Sequence, residues 1–306
     1  MRITNNTITY NFLTSLNKSL ERQNTIQEQL SDGKSIHRPS DDPVKAIRSL
    51  RFNSNLKQND QFTQNLKDAR SWMETTDSAM SDLSSVMINI KELVVQASTG
   101  SNPQDAVQTI GKSVDNLINQ IITIGNTKLG DRYVFSGQAD KTQPFKRDDT
   151  AVPPISYAGD SSKISMPIQP GTANPDQDSV NLTGLDIFGA GGTEVLNHLM
   201  EIKQHLDSGT IADQNWLSTT GLEYVDTDHA NMLQSQTELG TRMSAYDMAL
   251  NMLEGQNVVI TGDVSANEDL DIPKAIIDFK NSENIYKTAL SVGARIMPPS
   301  LADFLR

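Results

Sequence analysis

Small and apolar residues recur at alternating steps of four and three between residues 62 and 97. An unbroken repeat of this kind, with no Pro or Gly inside it, predicts a helix whose apolar seam stays on one side for about five heptads. At about 1.5 Å per residue the helix is roughly 50 Å long, so its seam needs other helices to cover it. The seam consists of Phe62, Leu66, Ala69, Met73, Thr76, Met80, Leu83, Met87, Ile90, Val94 and Ala97.

Two later stretches have the same spacing and can supply those partners. The first consists of Val107, Ile110, Val114, Leu117, Ile121 and Ile124, and the second of Met232, Gln236, Leu239, Met243, Tyr246, Leu250, Leu253, Asn257, Ile260 and Val264. Three long helices can therefore share one core. We predict a mainly α fold, an elongated long-helix bundle or coiled coil built from the N- and C-terminal parts of the chain.

The character of the chain changes between residues 137 and 192. Six prolines and repeated Gly and Asp punctuate short β-type runs at 152–157, 164–168 and 180–182, which predicts a small inserted β-rich domain. Residues 133–135 are expected to form a strand, a loop is expected around Trp216, and the stretch at 262–271 is expected to end the long later helix. Asp42 and Asp271, each shortly before a Pro, are expected to start helices, and Gly33 to end the first one. The resulting division has five segments: an N-terminal segment 1–41, helical body 42–136, inserted domain 137–192, helical body 193–262 and a C-terminal segment 263–306.

Composition limits the possible functions. The chain has 306 residues, 5% aromatic residues and no Cys, which excludes disulfides and thiolate metal sites. A net charge of -12 argues against a nucleic-acid partner. No apolar run is long enough for a membrane span or a cleaved signal peptide. We therefore expect neither a nucleic-acid nor a membrane partner and, if the protein is secreted, a route that uses no cleaved signal.

Charge is unevenly distributed along the chain. Residues 201–271 contain 13 acidic and 2 basic residues, whereas residues 1–51 contain 8 basic and 5 acidic ones. Lys45, Arg48 and Arg51 step by three along one helical face. One hypothesis is that this basic beginning lies against the acidic later helices; two separately solvated faces are the alternative.

The motifs that could carry chemistry are weak. Gly111-Lys112-Ser113 lacks the first Gly and the preceding strand of a phosphate-binding loop. His198 and His205 are seven residues apart, too far apart in sequence for a helical zinc motif, and exposed helix positions are expected for both. No arrangement of nucleophile, base and acid stands out. We predict no enzyme activity, no catalytic residue, no metal site and no cofactor.

Both ends of the chain have weaker seams than its middle. Leu13, Leu16 and Leu20 give way to Gln23 and Gln27 in the first helix. In the last helix, Glu283 and Gly293 interrupt a seam of Ile276, Phe279, Tyr286 and Leu290. Because ordering a residue costs about 1 to 2 kcal/mol, these helices need another surface to pack on.

Several strings now support a resemblance that covers the whole chain. They are MRIT at 1–4, DGKSI at 32–36, PSDDP at 39–43, DRYVFSG at 131–137, TQPF at 142–145, YAGD at 157–160, LTG at 182–184, LGTR at 239–242 and SLADFL at 300–305. Together they resemble the bacterial flagellar hook-associated protein type 3, a hook-filament junction protein of the flagellin family. Flagellin shares the end segments but usually has helices richer in Ala, Asn and Ser.

The resemblance implies a structural role. Such proteins form a thin junction ring between hook-associated protein type 1 and the first flagellin, leave the cell unfolded through the flagellar type III apparatus, and have a cytoplasmic export chaperone. Their terminal segments pair as a coiled coil in the inner tube, while the β domain faces outward. The extracellular flagellum is the expected location. Pro298-Pro299 departs from the pattern, because it would interrupt the last helix.

The weak ends and the resemblance together suggest an assembly interface on the terminal helices, where a partner would complete the packing. We expect it to include Phe12, Leu13, Leu16, Leu20, Tyr286, Leu290, Leu301 and Phe304. The alternative is that these helices simply pack on their own body. Two other functions stay open: a flagellin-type filament subunit, and a secreted protein whose β domain binds a ligand or acts as an enzyme.

Overall fold

The computed structural model describes residues 5–100, 102–166 and 179–296. The chain divides into two compact units: unit 1 comprises Met1–Asn59 and Gln256–Arg306, and unit 2 comprises Asp60–Gly255. The helices are α1 Asn5–Asp32, α2 Pro43–Ser98, α3 Gln104–Gly125, α4 Gly184–Phe188, α5 Glu194–Ser208, α6 Ile211–Trp216, α7 Leu222–Glu268 and α8 Ile272–Ile296. A 3₁₀ turn covers Ala190–Gly192, and a π turn at Leu217–Gly221 joins α6 to α7. The prediction of a mainly α fold is confirmed.

Short polar residues begin the helices of unit 1 as the sequence predicts. The Asp42 carboxylate accepts hydrogen bonds from the N–H groups of Val44 and Lys45, so Asp42 caps α2 with Pro43 in its first position. Asp271 accepts in the same way from the N–H of Lys274 at the start of α8. Gly33 ends α1 with a φ of 74°, the left-handed conformation that glycine adopts at low cost.

The core of unit 2 contains most of the three seams read from the sequence. In α3 the expected Leu117 and Ile124 are only partly buried and Ile118 is buried, while the last three positions of the third seam, Asn257, Ile260 and Val264, belong to unit 1. Every seam position of α2 after Phe62 is buried, from Leu66 to Ala97. The residues that α3 and α7 contribute to this core include Val107, Ile110, Val114, Ile121, Met232, Leu239, Tyr246 and Leu253. Helix α5 adds Val195, Leu196, Leu199, Ile202 and Leu206. Burial at about 1.5 to 3 kcal/mol per large side chain makes this cluster the main source of stability in unit 2.

The contact between α3 and α5 explains one apparent motif. Gly111 lies inside α3 against α5, and a Cβ on it would lie 2.9 Å from Asp207 Oδ1 and 3.2 Å from Leu206 Cβ. Its glycine allows the two helices to approach closely. The Gly111-Lys112-Ser113 string therefore serves helix packing in this structure.

A small aromatic cluster organises the inserted region. Strands β1 Lys128–Leu129 and β2 Arg132–Tyr133 form one antiparallel pair, and β3 Phe145–Arg147 and β4 Ile155–Tyr157 form another. The Phe145 ring contacts Phe188 edge-on at 4.7 Å between centroids and Tyr157 at 5.2 Å. The Tyr157 hydroxyl donates to the Phe135 carbonyl at 2.9 Å. This cluster connects the strands to α4.

Several sequence expectations about local structure were wrong. Helix α7 continues through Gly262 to Glu268, because one glycine costs a helix only about 1 kcal/mol. The region around Trp216, read as a loop, is helical. The strands are shorter than predicted: Val134 and Phe135 are buried in the core of unit 2 instead of extending β2, and residues 164–166 and 179–182 share only an isolated bridge at Ser165 and Ser179. Residues 167 and 168 lie outside the described part.

We expect the α2 seam to dominate the stability of unit 2. Leu83→Ala, at a fully buried position, should lower the free energy of unfolding by about 2 to 5 kcal/mol through lost burial and the cavity left behind. Ile88→Ala, on the exposed side of the same helix, is the control and should cost well under about 1 kcal/mol. Urea denaturation followed by circular dichroism measures both. Equal losses in the two variants would contradict the assigned seam.

Candidate assembly interface

Helices α1 and α8 pack as an antiparallel pair in unit 1. The Phe12 ring, near the start of α1, lies against Gly293, near the end of α8. At the opposite ends of the two helices, Lys34 and Asp269 form an antiparallel bridge. The terminal helices of the chain therefore contact each other along their length.

The facing sides of this pair are mixed in character. On α1 the less exposed positions step by three and four through Thr9, Phe12, Leu16, Ser19, Gln23, Ile26 and Leu30. On α8 they are Ala275, Phe279, Ser282, Tyr286, Ala289 and Gly293. Polar and small residues occupy about half of these positions. The seam therefore sets the spacing of the helices but buries little apolar area.

The register differs by one residue from the expected one at several places. Leu13 and Leu20 were placed on the α1 seam, but Phe12 and Ser19 occupy it and the two leucines are exposed. On α8 the seam passes through Ser282 and Ala289, so Leu290 lies beside it, while Glu283 next to Ser282 is half-buried. The expected leucine positions were therefore wrong, because the ring of Phe12 and not Leu13 packs against Gly293.

Gly293 is therefore a packing residue and not an interruption. A Cβ on it would lie 2.3 Å from Phe12 Cζ, far inside van der Waals contact. The missing side chain makes the space for the aromatic ring. The sequence analysis treated this glycine as an interruption of the α8 seam, whereas in the structure it is part of the packing.

Unit 1 leaves most of its large apolar side chains exposed. In the part of unit 1 that the structure describes, Ile26 and Ala275 are the buried apolar residues. The exposed ones are Tyr10, Leu13, Leu20, Val44, Ile47, Leu50, Val258, Val259, Ile272, Ile276, Ile277, Ile285, Leu290 and Val292. Exposed apolar side chains in this number are typical of a surface that contacts other molecules.

The residues expected at an assembly interface fall into three groups. Phe12, Leu16 and Tyr286 are half-buried between α1 and α8. Leu13, Leu20 and Leu290 are exposed and available to another molecule. Leu301 and Phe304 lie outside the described residues. The assignment of these residues to an interface stays a prediction.

The loop between α1 and α2 is held by polar contacts that the sequence did not reveal. The Ser35 N–H donates to the Glu268 carbonyl at 2.6 Å, and the Leu270 N–H donates to the Gly33 carbonyl at 2.8 Å. Within the loop, the Asp41 carboxylate accepts from the N–H groups of His37 and Arg38. These bonds to Arg38 and then His37 lower the pKa of Asp41.

Glu268 is the centre of this arrangement, with only 7% of its surface exposed. Its carboxylate accepts hydrogen bonds from the Ser49 hydroxyl at 2.5 Å and from Asn53 Nδ2 at 2.8 Å, and Lys34 Nζ lies 3.3 Å from the other oxygen. The Ser49 hydrogen bond, followed by those of Lys34 and Asn53, lowers the pKa of Glu268 against the opposing effect of burial. Glu268 therefore links the end of α7 to the α1–α2 loop and to the start of α2.

The two histidines of α5 were expected to be exposed, and this was wrong. His198 Nδ1 lies 3.0 Å from Asp228 Oδ2, and the His198 ring stacks on Tyr224 at 4.0 Å. Burial raises the pKa of Asp228, although the hydrogen bond with His198 opposes that effect. His205 pairs in the same way with Asp213 at 2.6 Å and stacks on Trp216 at 3.9 Å.

These pairs hold α5 against α6 and α7 within unit 2. The sequence contained a signal for one of them, because Thr210 and Asp213 have the spacing of a capping box, which the structure forms at the start of α6. Among the described residues, no three acidic or histidine side chains are grouped to hold a metal ion. None of the helices described here is both long enough and apolar enough to cross a bilayer.

Comparisons with known proteins agree with this architecture. Residues 3–140 match the family described as the bacterial flagellin N-terminal helical region. Flagellar hook-associated protein 3 of Escherichia coli is 30% identical over 122 residues, 40% of this chain and 38% of that protein. The flagellin of Bacillus subtilis is 24% identical over the full length of both chains. The N-terminal part of the chain, residues 3–140, is therefore similar to the corresponding region of the bacterial flagellins.

The fold is shared with solved structures as well. FlgL of Xanthomonas campestris superposes with a TM-score of 0.61 at 15% identity, over 70% of this chain and 99% of that one. The aligned regions cover 38% of the Escherichia coli hook-associated protein 3 and 30% of an Escherichia coli flagellin. The resemblance to hook-associated protein type 3 in the sequence is confirmed.

The close contact between Phe12 and Gly293 predicts that adding a side chain at Gly293 destabilises the α1/α8 pair. Gly293→Ala should weaken the α1/α8 pair by about 1 to 3 kcal/mol through overpacking, measured as faster amide hydrogen exchange in both helices. Phe12→Leu in the same chain should recover part of the loss. Gly262→Ala, where nothing lies within 4 Å of the added Cβ, is the control and should stabilise α7 by up to about 1 kcal/mol. Unchanged exchange in Gly293→Ala would refute the packing described.

The Glu268 contacts predict a pH dependence with a definite sign. Because its pKa is lower in the folded protein, the stabilisation is present above the usual carboxyl range and is lost as pH falls through the folded value. Glu268→Gln should therefore speed amide exchange at Ser35 and Leu270 at pH 7, with a difference from the natural chain that shrinks as the pH approaches about 3. Glu254→Gln, at an exposed position of α7, should change neither. A pH-independent difference would mean that the carboxylate charge is not involved.

Proposed function

We propose that this chain is a structural subunit of the bacterial flagellum that forms the junction ring between the zone of hook-associated protein type 1 and the flagellin filament. The observation that carries the proposal is the set of exposed apolar side chains in unit 1, whose N-terminal helix lies in the region that matches the flagellin family. A protein that acts alone in solution has no use for so much exposed apolar surface. A subunit that is covered on several sides by neighbours does.

Assembly uses the terminal helices. The partners are other copies of the chain, hook-associated protein type 1 on one side and flagellin on the other. Each exposed leucine or isoleucine of α1 and α8 that becomes buried contributes about 1.5 to 3 kcal/mol, less the cost of ordering the partner surface. Seven leucines and isoleucines on the described parts of α1 and α8 are exposed in this way, and burying several of them would favour association.

The remaining partners act during export of the chain from the cell. In this proposal the chain is secreted unfolded through the flagellar type III apparatus and reaches the extracellular flagellum. A cytoplasmic export chaperone covers the C-terminal segment before secretion. The absence of Cys suits a chain that folds outside the cell without disulfides.

A second candidate function has an observation of its own. The alignment with Bacillus subtilis flagellin covers both chains completely, which favours a filament subunit. The two roles differ in what the purified chain does: a filament subunit polymerises alone into long fibres, whereas a junction subunit adds a limited number of copies between other proteins.

The deciding experiment deletes the chain's gene in its bacterium and examines the hooks by electron microscopy. A junction subunit leaves complete hooks without filaments, and unassembled flagellin accumulates in the medium. If filaments still form, the junction role is wrong. If the filament is lost while no other flagellin is secreted, the chain is itself the filament subunit.

The exposed leucines of the terminal helices provide the matching test of the interface. Leu13→Asp combined with Leu20→Asp should leave the monomer folded, because both side chains are exposed, but should abolish filament attachment in cells. Val152→Asp, at another exposed apolar site in unit 2, is the control and should leave motility unchanged. Soft-agar swimming and immunoblots of secreted protein separate failed assembly from failed export. Normal swimming of the double variant would exclude these leucines from the interface.

A further inference from the structure

The first two turns of α2 carry an apolar face that the chain itself does not cover. Val44, Ile47 and Leu50 are 61%, 63% and 71% exposed. With 100° per residue, Arg48 and Arg51 project from the same side of the helix. The face is therefore apolar with two guanidinium groups beside it.

Those cations have no acidic partner in the described part of the chain. Lys34, Arg70, Lys91 and Arg147 form ion pairs, but none is formed by Lys45, Arg48 or Arg51. Arg48 and Arg51 line a groove with Asp263 without contacting it as an ion pair. The hypothesis that the three cations bind the later acidic helices of their own chain is therefore not supported by these contacts.

The outer side of the last turns of α7 is apolar and lies in an acidic part of the chain. Val258 and Val259 are 73% and 64% exposed, and nothing lies within 4 Å of the Cβ position of Gly262. Asp263 follows Gly262 on the helix, and Asp269 comes directly after the end of α7. No Lys or Arg occurs between Arg242 and Lys274, a stretch with six acidic residues.

The inner sides of the same two helices are already in use. The Asn267 side chain donates to the Lys45 carbonyl at 3.0 Å, and Asn257 Nδ2 lies 3.4 Å from Asn59 Oδ1. Because α2 and α7 meet through these residues, the aliphatic faces point away from that contact. The start of α2 presents an apolar face beside two cations, and the end of α7 presents an apolar face beside acidic residues.

We propose that the start of α2 in one copy docks on the end of α7 in a second copy, with Val44, Ile47 and Leu50 against Val258, Val259 and Gly262. Arg48 and Arg51 then approach Asp263 and Asp269 of the second copy. The contact joins two different surfaces, so it is heterologous and propagates from copy to copy. This inference rests on the proposed function, since it names how adjacent copies in the ring meet.

A chain without Cys allows a clean cross-linking test. Ile47→Cys and Val259→Cys are made in separate copies, mixed, and treated with a short bismaleimide. The 47–259 product should exceed the 47–47 and 259–259 products, as identified by mass spectrometry. A mixture in which Val152→Cys replaces Val259→Cys gives the background for random collisions, because that side chain is fully exposed in unit 2.

Charge reversal tests the electrostatic part. Arg48→Glu with Arg51→Glu in the Ile47→Cys copy should lower the 47–259 yield about tenfold. Adding Asp263→Lys and Asp269→Lys to the Val259→Cys copy should restore it. Restoration by the complementary copy requires the two faces to meet, which a folding defect in either variant would not produce.

The proposal is overturned if the 47–259 product does not exceed the background, if same-position products dominate, or if the cross-link joins the chain to flagellin instead. The same cross-linking on isolated flagella separates this proposal from the proposed function. A chain found at the filament base without the 47–259 product removes the inference and leaves the junction role. A chain absent from flagella removes the junction role itself.

Discussion

Burial of the α2 seam is the interaction on which unit 2 depends. Ten consecutive heptad positions from Leu66 to Ala97 are buried against α3, α5 and α7, and the aromatic cluster of the inserted region joins the same core. In the described part of unit 1, about half of the positions where α1 and α8 face each other are small or polar, and only Ile26 and Ala275 among the apolar residues are buried. Ordering α1 and α8 therefore depends on specific local contacts and, in our proposal, on neighbouring copies.

This contrast explains what the sequence could predict. In unit 2 the seam residues are mostly apolar, so their spacing identified the long helices and the buried positions of α2, including Met73, Met80 and Met87. In α3 it placed Leu117 where Ile118 is buried. The helix starts at Asp42 and Asp271 were equally readable, because capping depends on residues close in sequence. The short strands were overestimated, since β-type composition does not reveal that Val134 and Phe135 enter a core shared with helices.

The polar contacts between residues far apart in sequence, and the register of α1 against α8, could not be predicted from the sequence. Glu268 and Ser49 are 219 positions apart, and nothing in either local pattern points to the other. The register of α1 and α8 could not be read from size, because the decisive fit joins a ring to an absent side chain. His198 and His205 were likewise assigned to the surface, since their stacking partners Tyr224 and Trp216 are brought to them only by the fold.

The terminal helix pair is fixed at both ends but not in its middle. Phe12 and Gly293 set one end, and the backbone hydrogen bonds of Gly33 and Ser35 set the other. Between them, Ser19, Gln23 and Ser282 distinguish poorly among alternative alignments. Removing one heptad from the middle of each helix would keep both end contacts and shorten the pair by about 10 Å. A change of seven residues in each helix is thus the smallest change in length that keeps the facing sides of both helices and their two end contacts.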